Sequence, residues 1–351
     1  MASNPLAPRP AVERMAPYSP PSSGRAGKLR LDFNENTLGA SPKVVAALER
    51  ALKADLLAVY PEYAETKPIL AKFFGVSPDE FILTNGTDEA IQVLVNTYVD
   101  DGDEVIILHP SYAMYRFYSE VAGAKIVEVS YRAGSLDFPM EELLAAITPR
   151  TKAILISNPN NPTGRAFREF ERVLEAAPHA AVLIDEAYYE FCQITALPLI
   201  GKHPNLFVSR TFSKVFGMAA MRVGCLFSQS QNVAWMHKAQ SPYSVNMPAA
   251  IAARAAVEDT EYVAAYVEQV LSARERCYEG LRRLGVKHWP SEGNFVLFVS
   301  PVAPRGLCTA LREQGILVRD RSHEIPNTVR VTVGTMEHVN RFLTALEAQL
   351  Q

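Results

Sequence analysis

The segment Val208-Ser-Arg-Thr-Phe-Ser-Lys-Val-Phe-Gly-Met-Ala-Ala-Met-Arg-Val-Gly224 is more informative about fold and function than any other part of this chain. It begins as an apolar strand, passes the hydroxyl residues Thr211 and Ser213, and then places Lys214 in a Gly-, Ala- and Met-rich stretch. An apolar setting favours the neutral, nucleophilic form of a lysine, which suits a Schiff base with a carbonyl cofactor. The two hydroxyl groups and Arg222 are suited to hold a phosphate.

Two apolar runs upstream of this segment end in polar residues. Ala153-Ile-Leu-Ile-Ser-Asn-Pro-Asn-Asn-Pro-Thr-Gly164 stops in Asn, Pro and Gly, and Ala180-Ala-Val-Leu-Ile-Asp-Glu-Ala-Tyr188 reaches Asp185. Short, fully apolar runs are typical of strands that are covered on both faces. Open α/β sheets bind ligands at the C-terminal ends of their strands, so we expect these polar residues to line a ligand site.

The composition indicates an ordinary globular protein. At 351 residues the chain is long enough for one large domain and a smaller one. A net charge of −3 gives no reason to expect binding to nucleic acid or to a membrane surface. The cysteines are scattered, without CxxC or Cys/His spacing, which predicts free thiols in a reducing compartment and no metal site. They are Cys192, Cys225, Cys277 and Cys308.

No targeting or membrane segment is visible in the sequence. No apolar run approaches the roughly 20 residues that a membrane helix needs. Residues 1–27 are rich in Pro, Ser and Arg and lack the apolar middle of a signal peptide. We therefore expect a flexible N-terminal arm on a cytoplasmic enzyme.

Strands and helices alternate through most of the chain, which predicts a mostly parallel sheet. Ser41-Pro42 is a typical helix start. Near the end, a long helix over 261–284 precedes an α+β pattern that indicates a second, smaller domain. The predicted strands are 81–84, 105–108, 125–129, 153–157, 181–184, 294–299 and 328–333, and the other predicted helices are 88–99, 112–122, 140–147 and 307–314. The predicted divisions are the arm at 1–27, an arm and helix at 28–54 that contribute to the small domain, a large domain at 55–265 and a small domain at 266–351.

The order Asn161, Asp185, Tyr188, Lys214 and Arg222 resembles the fold-type I pyridoxal-phosphate aminotransferases, and most closely their histidinol-phosphate branch. The resemblance covers nearly the whole chain after the arm. It implies an α/β fold with a mostly parallel, seven-stranded sheet flanked by helices and a smaller α+β C-terminal domain. It also implies pyridoxal 5′-phosphate as cofactor and a homodimer with shared active sites. Other resembling segments are Asp32-Phe-Asn-Glu-Asn-Thr-Leu-Gly-Ala-Ser-Pro42, Tyr60-Pro-Glu62, Thr84-Asn-Gly-Thr-Asp-Glu89, Pro110-Ser-Tyr-Ala-Met-Tyr115, Ser241-Pro-Tyr-Ser-Val-Asn246, Ser291-Glu-Gly-Asn-Phe-Val-Leu-Phe298 and Val329-Arg-Val-Thr-Val-Gly334.

This resemblance assigns catalysis to Lys214, Asp185 and Tyr188. Lys214 would anchor the cofactor and shuttle a proton. Asp185 would pair with the ring nitrogen, and the alternative is a cap at the end of a strand. Asn161 and Tyr188 would donate hydrogen bonds to the phenolic oxygen of the ring. Tyr112 would stack on the ring, whereas Tyr115 and Tyr118, which share its helical spacing, are predicted to pack in the core.

The cofactor phosphate is expected at the start of a helix, where backbone N–H groups bind anions. By resemblance, Tyr60 would reach the phosphate of the neighbouring subunit's cofactor, and the alternative for Tyr60 is a buried aromatic before Pro61. The residues predicted to surround the phosphate within one chain are Gly86, Thr87, Asp88, Thr211, Ser213 and Arg222.

Substrate recognition is predicted to rest on two late arginines. Arg330 alternates with apolar residues in a strand, and its planar guanidinium group suits a carboxylate or a phosphate. The resemblance implies that Arg330 and Arg319 both bind the substrate phosphate, although a surface salt bridge is an alternative for Arg319. Asn34 and Tyr18 are further substrate-binding candidates.

The activity that the resemblance implies is reversible amino transfer between L-histidinol phosphate and 2-oxoglutarate, in histidine biosynthesis. One alternative is an aromatic amino-acid aminotransferase, in which Arg330 would bind the α-carboxylate. A second is an O-phosphothreonine-type decarboxylase, which shares most of the site. A third class, an effector-binding module of a transcription regulator, needs a DNA-binding domain, for which the arm is too short.

Overall fold

The computed structural model describes residues 6–17 and 23–350. Within these residues the strands are β1 (Leu29–Arg30), β2 (Phe81–Thr84), β3 (Glu104–His109), β4 (Lys125–Ser130), β5 (Thr151–Ser157), β6 (Ala181–Asp185), β7 (Leu206–Thr211), β8 (Gly224–Phe227), β9 (Phe295–Val299), β10 (Ile316–Leu317), β11 (Arg319–Asp320) and β12 (Thr328–Thr332). The α-helices are α1 (Pro10–Glu13), α2 (Pro42–Ala51), α3 (Thr66–Phe74), α4 (Gly86–Tyr98), α5 (Ala113–Ala122), α6 (Met140–Ala146), α7 (Phe170–Ala176), α8 (Ser230–Ala239), α9 (Met247–Val257), α10 (Thr260–Arg283), α11 (Pro304–Glu313) and α12 (Met336–Glu347).

The largest sheet of the described structure has seven strands in the order β2-β8-β7-β6-β5-β3-β4. Strand β8 runs antiparallel to both of its neighbours, and the remaining adjacent pairs are parallel. The predicted α/β fold with a mostly parallel sheet is therefore confirmed. Strands β6 and β7 are buried along their whole length, because helices cover both faces of the sheet.

The sheet separates two apolar clusters. Successive strand residues point to opposite faces, so Leu155 and Leu183 pack on one side and Ile154 and Ile184 on the other. Helices α4, α5 and α8 cover the first side, and α3, α7 and α9 cover the second. This double cover explains why the central strands appear in the sequence as unbroken apolar runs.

A smaller, three-stranded antiparallel sheet has the order β11-β12-β9 and lies in the C-terminal part of the chain. Helix α10 packs against α12 beside it. Strand β1 pairs in parallel with β10, which brings the N-terminal segment into the C-terminal region. The long helix and the two longer strands of this region were predicted to within a few residues, while the exact division into domains stays a prediction.

Two further expectations concern cysteines and membranes. The four cysteines are all free thiols. Across residues 6–17 and 23–350, no helix combines the length and the apolar character that spanning a bilayer requires. The same residues contain no cluster of His, Cys, Asp and Glu side chains suited to hold a metal ion.

Candidate active site

A cavity of about 180 Å³ lies at the C-terminal ends of β5, β6 and β7. This is the edge of the sheet at which the parallel-strand rule places ligands. The cavity brings together side chains from distant parts of the sequence. Its lining is Phe33, Glu35, Thr87, Asp88, Tyr112, Ser157, Asn161, Asp185, Ala187, Tyr188, Thr211, Ser213, Lys214, Ala219 and Arg222.

A larger, mainly apolar cavity of about 940 Å³ lies between the end of α3 and the first half of α10. None of the residues that the sequence predicted for catalysis or binding lines it. We assign the chemistry to the smaller cavity, because convergent ionisable and polar groups decide where a reaction occurs and volume does not.

Asp185 is the last residue of β6 and only 3% of its surface is exposed. Its Oδ1 accepts a hydrogen bond from the Ser209 hydroxyl, and its Oδ2 accepts one from the Tyr115 hydroxyl, each at 2.8 Å. Burial raises the pKa of Asp185 to about 6, although both hydrogen bonds act to lower it. A buried carboxylate held in this way is suited to pair with a cationic group in the cavity.

Lys214 and Tyr188 lie close together on another wall of the cavity. The Lys214 Nζ lies 5.7 Å from the centre of the Tyr188 ring and donates a hydrogen bond to the Phe33 carbonyl oxygen at 2.9 Å. The Tyr188 hydroxyl accepts a hydrogen bond from the Asn34 side-chain amide at 2.9 Å. An amide N–H can only donate, so the Tyr188 proton remains to be donated to a different acceptor.

The N-terminal segment at residues 32–34 contacts three predicted site residues in succession. The Asp32 carbonyl accepts a hydrogen bond from Arg330, and the Phe33 carbonyl accepts one from Lys214. The Asn34 side-chain amide donates a hydrogen bond to the Tyr188 hydroxyl. Because two of these three contacts use backbone carbonyls, no pattern of side chains along the chain predicts them.

The start of α4 forms a cradle at one end of the cavity. Gly86 has φ +74°, and a Cβ atom there would lie 2.6 Å from the Arg222 Nη2 atom. The Thr87 Oγ1 atom is buried and has no hydrogen-bond partner among the described residues. An unpaired buried hydroxyl beside the first N–H groups of a 13-residue helix fits an anion such as a phosphate.

The cationic side of this cradle is Arg222. Its guanidinium group pairs with the Asp88 carboxylate at 3.2 Å and donates a long hydrogen bond of 3.4 Å to the Ser213 hydroxyl. The Thr211 hydroxyl accepts a hydrogen bond from the Ser213 backbone N–H. The six residues predicted around the phosphate therefore lie together in the structure.

Tyr112 lines the cavity and its hydroxyl donates to Asp88 at 2.7 Å. Tyr115 packs in the core as predicted, but its hydroxyl also reaches Asp185. Neither this contact nor the one from Ser209 was predicted from the sequence. The helical spacing of Tyr115 from Tyr112 is the signal that could have indicated that Tyr115 also lies near the site.

Arg330 is buried beside the site, with 4% of its surface exposed. Its guanidinium group donates to Asn161 Oδ1, so the two predicted residues contact each other directly. Burial, followed by the nearby Arg321 and Arg319 charges, lowers the pKa of Arg330 below its ordinary value. An anionic ligand would relieve this clustering of positive charge. Arg319 is opposite Arg330 in the β11–β12 ladder and stands 5.5 Å from the centre of the Phe33 ring.

Two further predicted residues, Tyr60 and Asn34, do not line the cavity. Tyr60 is 74% exposed and stacks on Tyr243, with ring centres 4.6 Å apart. Asn34 is fully buried behind Tyr188, where its side chain also accepts a hydrogen bond from Thr332. Tyr18 lies outside the described residues.

This fold is shared by many proteins of known structure. Residues 26–346 match the family model described as aminotransferase class I and II. The chain therefore belongs to the class I and II aminotransferases.

The chain is 36% identical to the histidinol-phosphate aminotransferase of Symbiobacterium thermophilum, over 97% of this chain and 98% of that protein. It is 34% identical to histidinol-phosphate aminotransferase 2 of Pseudomonas fluorescens, over 97% of each chain. The structure of histidinol-phosphate aminotransferase from Sinorhizobium meliloti, solved with pyridoxal 5′-phosphate, superposes with a TM-score of 0.85 at 24% identity, covering 97% of this chain and 98% of that one.

Proposed function

We propose that this protein transfers the amino group of L-histidinol phosphate to 2-oxoglutarate with pyridoxal 5′-phosphate as cofactor, in histidine biosynthesis. The observation that carries this proposal is the convergence of Lys214, Asp185 and a phosphate-binding cradle in one cavity. The relatives that share the chain over nearly its whole length bear the name of this activity. They do not favour the aromatic aminotransferase or the decarboxylase alternative.

The residues present fit this cofactor at both of its ends. The Thr87 hydroxyl, the Gly86 backbone and the Arg222 guanidinium group would hold the phosphate, with Ser213 and Thr211 beside them. At the other end, Asp185 offers a buried carboxylate for the ring nitrogen. When bound, the cofactor supplies a protonated ring that withdraws electrons from the substrate Cα.

The phenolic oxygen of the ring would receive two hydrogen bonds from this chain. Tyr188 accepts from Asn34 and so retains its own proton to donate. Asn161 accepts from Arg330 through Oδ1, which leaves its NH₂ group to donate. Tyr112 would cover one face of the ring. These donors would hold the ring in a fixed orientation relative to Lys214.

Lys214 would move the proton of the reaction. Its Nζ would hold the cofactor and, once freed by the amino donor, would take the proton from the substrate Cα as a general base. The Lys214 amine would then return that proton to complete the transfer. The hydrogen bond from Nζ to the Phe33 carbonyl holds the Lys214 side chain against the cavity wall.

Two arginines would bind the anionic groups of histidinol phosphate and 2-oxoglutarate. Arg330 and Arg319 would bind the phosphate of histidinol phosphate, and Arg330 would bind a carboxylate of 2-oxoglutarate in the second half-reaction. Asn34 would act on the substrate indirectly, through Tyr188. Tyr18 remains a further proposed contact.

We also propose a cytoplasmic homodimer in which each subunit completes the partner's site. In one chain Tyr60 lies exposed and away from the cavity, among the exposed apolar side chains Leu57 and Val59. A second copy that covers this surface would bury the apolar side chains and bring Tyr60 to the phosphate of the other subunit.

The test is a single-turnover experiment on the purified holoenzyme. The protein is mixed separately with histidinol phosphate, phenylalanine and phosphothreonine, and the absorbance of the bound cofactor is followed. We expect fast conversion to the amino form of the cofactor with histidinol phosphate, and none in a Lys214→Ala variant. Faster conversion with phenylalanine would instead make the protein an aromatic aminotransferase, and release of CO₂ from phosphothreonine would make it a decarboxylase.

A further inference from the structure

Tyr115 is a fully buried tyrosine whose hydroxyl contacts a residue of the candidate active site. Its side chain has no exposed surface, and its hydroxyl donates a 2.8 Å hydrogen bond to Asp185 Oδ2. The ring stands edge-on to Tyr112, with centres 5.7 Å apart. Tyr115 therefore contacts both the proposed ring-nitrogen partner and the proposed ring-stacking residue.

A second hydroxyl completes the arrangement from a different element. Ser209, in β7 opposite Asp185 in the strand pairing, donates to Oδ1 at 2.8 Å. Each carboxylate oxygen thus accepts a hydrogen bond from one hydroxyl, that of Tyr115 on helix α5 or that of Ser209 on strand β7. Two hydroxyl donors on separate elements fix the rotation of the carboxylate plane, and the backbone N–H of Ala187 is a further donor that also favours its charged form.

The protonation state of Tyr115 makes it a permanent donor. Burial and the charge of Asp185 raise the pKa of Tyr115 well above its ordinary value, so the phenol remains protonated throughout the working pH range. A donor that cannot ionise stabilises the charged form of its acceptor. Without such donors a carboxylate in this buried position would hold its proton to a higher pH.

We propose that Tyr115, supported by Ser209, is a positioning residue that keeps the Asp185 carboxylate ionised and aimed at the cofactor ring nitrogen. This inference rests on the proposed function, because it concerns how Asp185 meets the ring. It assigns Tyr115 no direct contact with the substrate or the cofactor.

Other charged groups around Asp185 bear on any pH measurement. Asp88, on helix α4, acts to raise the pKa of Asp185 by charge repulsion. Lys214, Tyr188, Arg222, Tyr112 and Glu35 line the same cavity. Since the variants below leave all six unchanged, a difference between a variant and the wild type reports on the lost hydroxyl.

The experiment measures the dissociation constant of pyridoxal 5′-phosphate as a function of pH for the full-length protein. Tyr115→Phe removes only the hydroxyl and keeps the buried ring. We expect the midpoint of the pH dependence to move upward by about one unit, because a hydrogen bond to the charged form is lost. Binding then becomes about tenfold weaker on the acid side of the midpoint and changes little well above it. Ser209→Ala should shift the midpoint in the same direction.

Tyr131→Phe is the matched control, since Tyr131 is also a buried tyrosine but belongs to the core on the opposite face of the sheet. It should leave the midpoint unchanged. A Tyr115→Phe midpoint equal to that of the wild type, or a loss of affinity that is the same at every pH, would overturn the positioning role. A wild-type protein that bound no cofactor would instead refute the proposed function, so the two failures are distinguishable.

Discussion

Burial of the Asp185 carboxylate lowers the stability of the folded chain at neutral pH, although the proposed function requires the charge there. Because its pKa is about 6 in the folded chain, compared with 3.8 for an unburied aspartate, the folded state holds a proton between about pH 4 and pH 6 that the unfolded state releases. Stability from this group is therefore present in acid and is lost as pH rises from about 4 to about 6. The difference corresponds to about 3 kcal/mol of destabilisation at neutral pH.

Asp185→Asn should therefore stabilise the cofactor-free protein while it abolishes catalysis. We expect the free energy of unfolding at neutral pH to rise by roughly 1–3 kcal/mol, because the substitution removes a buried charge. The gain should vanish as pH falls below the Asp185 pKa, where the wild type is itself neutral. Urea unfolding at neutral and acidic pH measures this, and a variant that is less stable at neutral pH would contradict the argument.

Gly86 is the second position at which a single residue determines the site. Alanine there would meet the Arg222 guanidinium group at 2.6 Å and would also need the left-handed backbone at φ +74°. Displacing Arg222 should weaken pyridoxal-phosphate binding by about 10- to 100-fold, the equivalent of one charged hydrogen bond. Gly102→Ala is the control, since it has φ +84° but no atom within 4 Å of its Cβ. Equal effects of both variants on cofactor binding would mean that backbone strain alone is responsible.

At the scale of elements, the packing of α10 on α12 depends on a residue without a side chain. A Cβ atom at Gly280 would lie 2.3 Å from Leu343 Cδ1 and 2.9 Å from its Cγ, in a buried contact. Gly280→Ala should destabilise the protein by about 1–2 kcal/mol, because overpacking exceeds the gain in helix propensity. Gly306→Ala, on the open face of α11, should stabilise by up to about 1 kcal/mol. Urea midpoints of the two variants that move in the same direction would disprove the packing argument.

At the scale of the whole molecule, the proposed shared site predicts complementation between two defective variants. Tyr60→Ala removes the residue that each subunit would lend to its partner, and Lys214→Ala removes the catalytic amine. In a mixed dimer, one site would combine the intact Lys214 of one subunit with the intact Tyr60 of the other. Mixing and re-equilibrating the variants should therefore restore activity above the sum of the separate proteins. Activity that remains at the sum would indicate sites complete within one chain.

Six of the seven strands of the central sheet and most of the polar residues of the cavity could be predicted from the sequence alone, whereas β8 and the contributions of Phe33 and Glu35 could not. Strands β5, β6 and β7 are covered on both faces, and each ends in polar residues, so both properties are visible as local patterns. Helix α9 was not predicted, because its alanines are buried on nearly every side and show no amphipathic periodicity. The short strands β10 and β11 depend on pairing partners far away in the sequence.

The order of motifs by itself determined the family, the fold class and most of the polar residues of the cavity, because strand ends deliver their side chains to one edge of the sheet. The tertiary structure alone decided which groups touch. Tyr115 and Asp185 are 70 positions apart in the chain, and Phe33 and Lys214 are 181 apart. Hydrogen bonds across such separations depend on the packing of whole elements and on backbone carbonyls, and neither leaves a local pattern in the sequence.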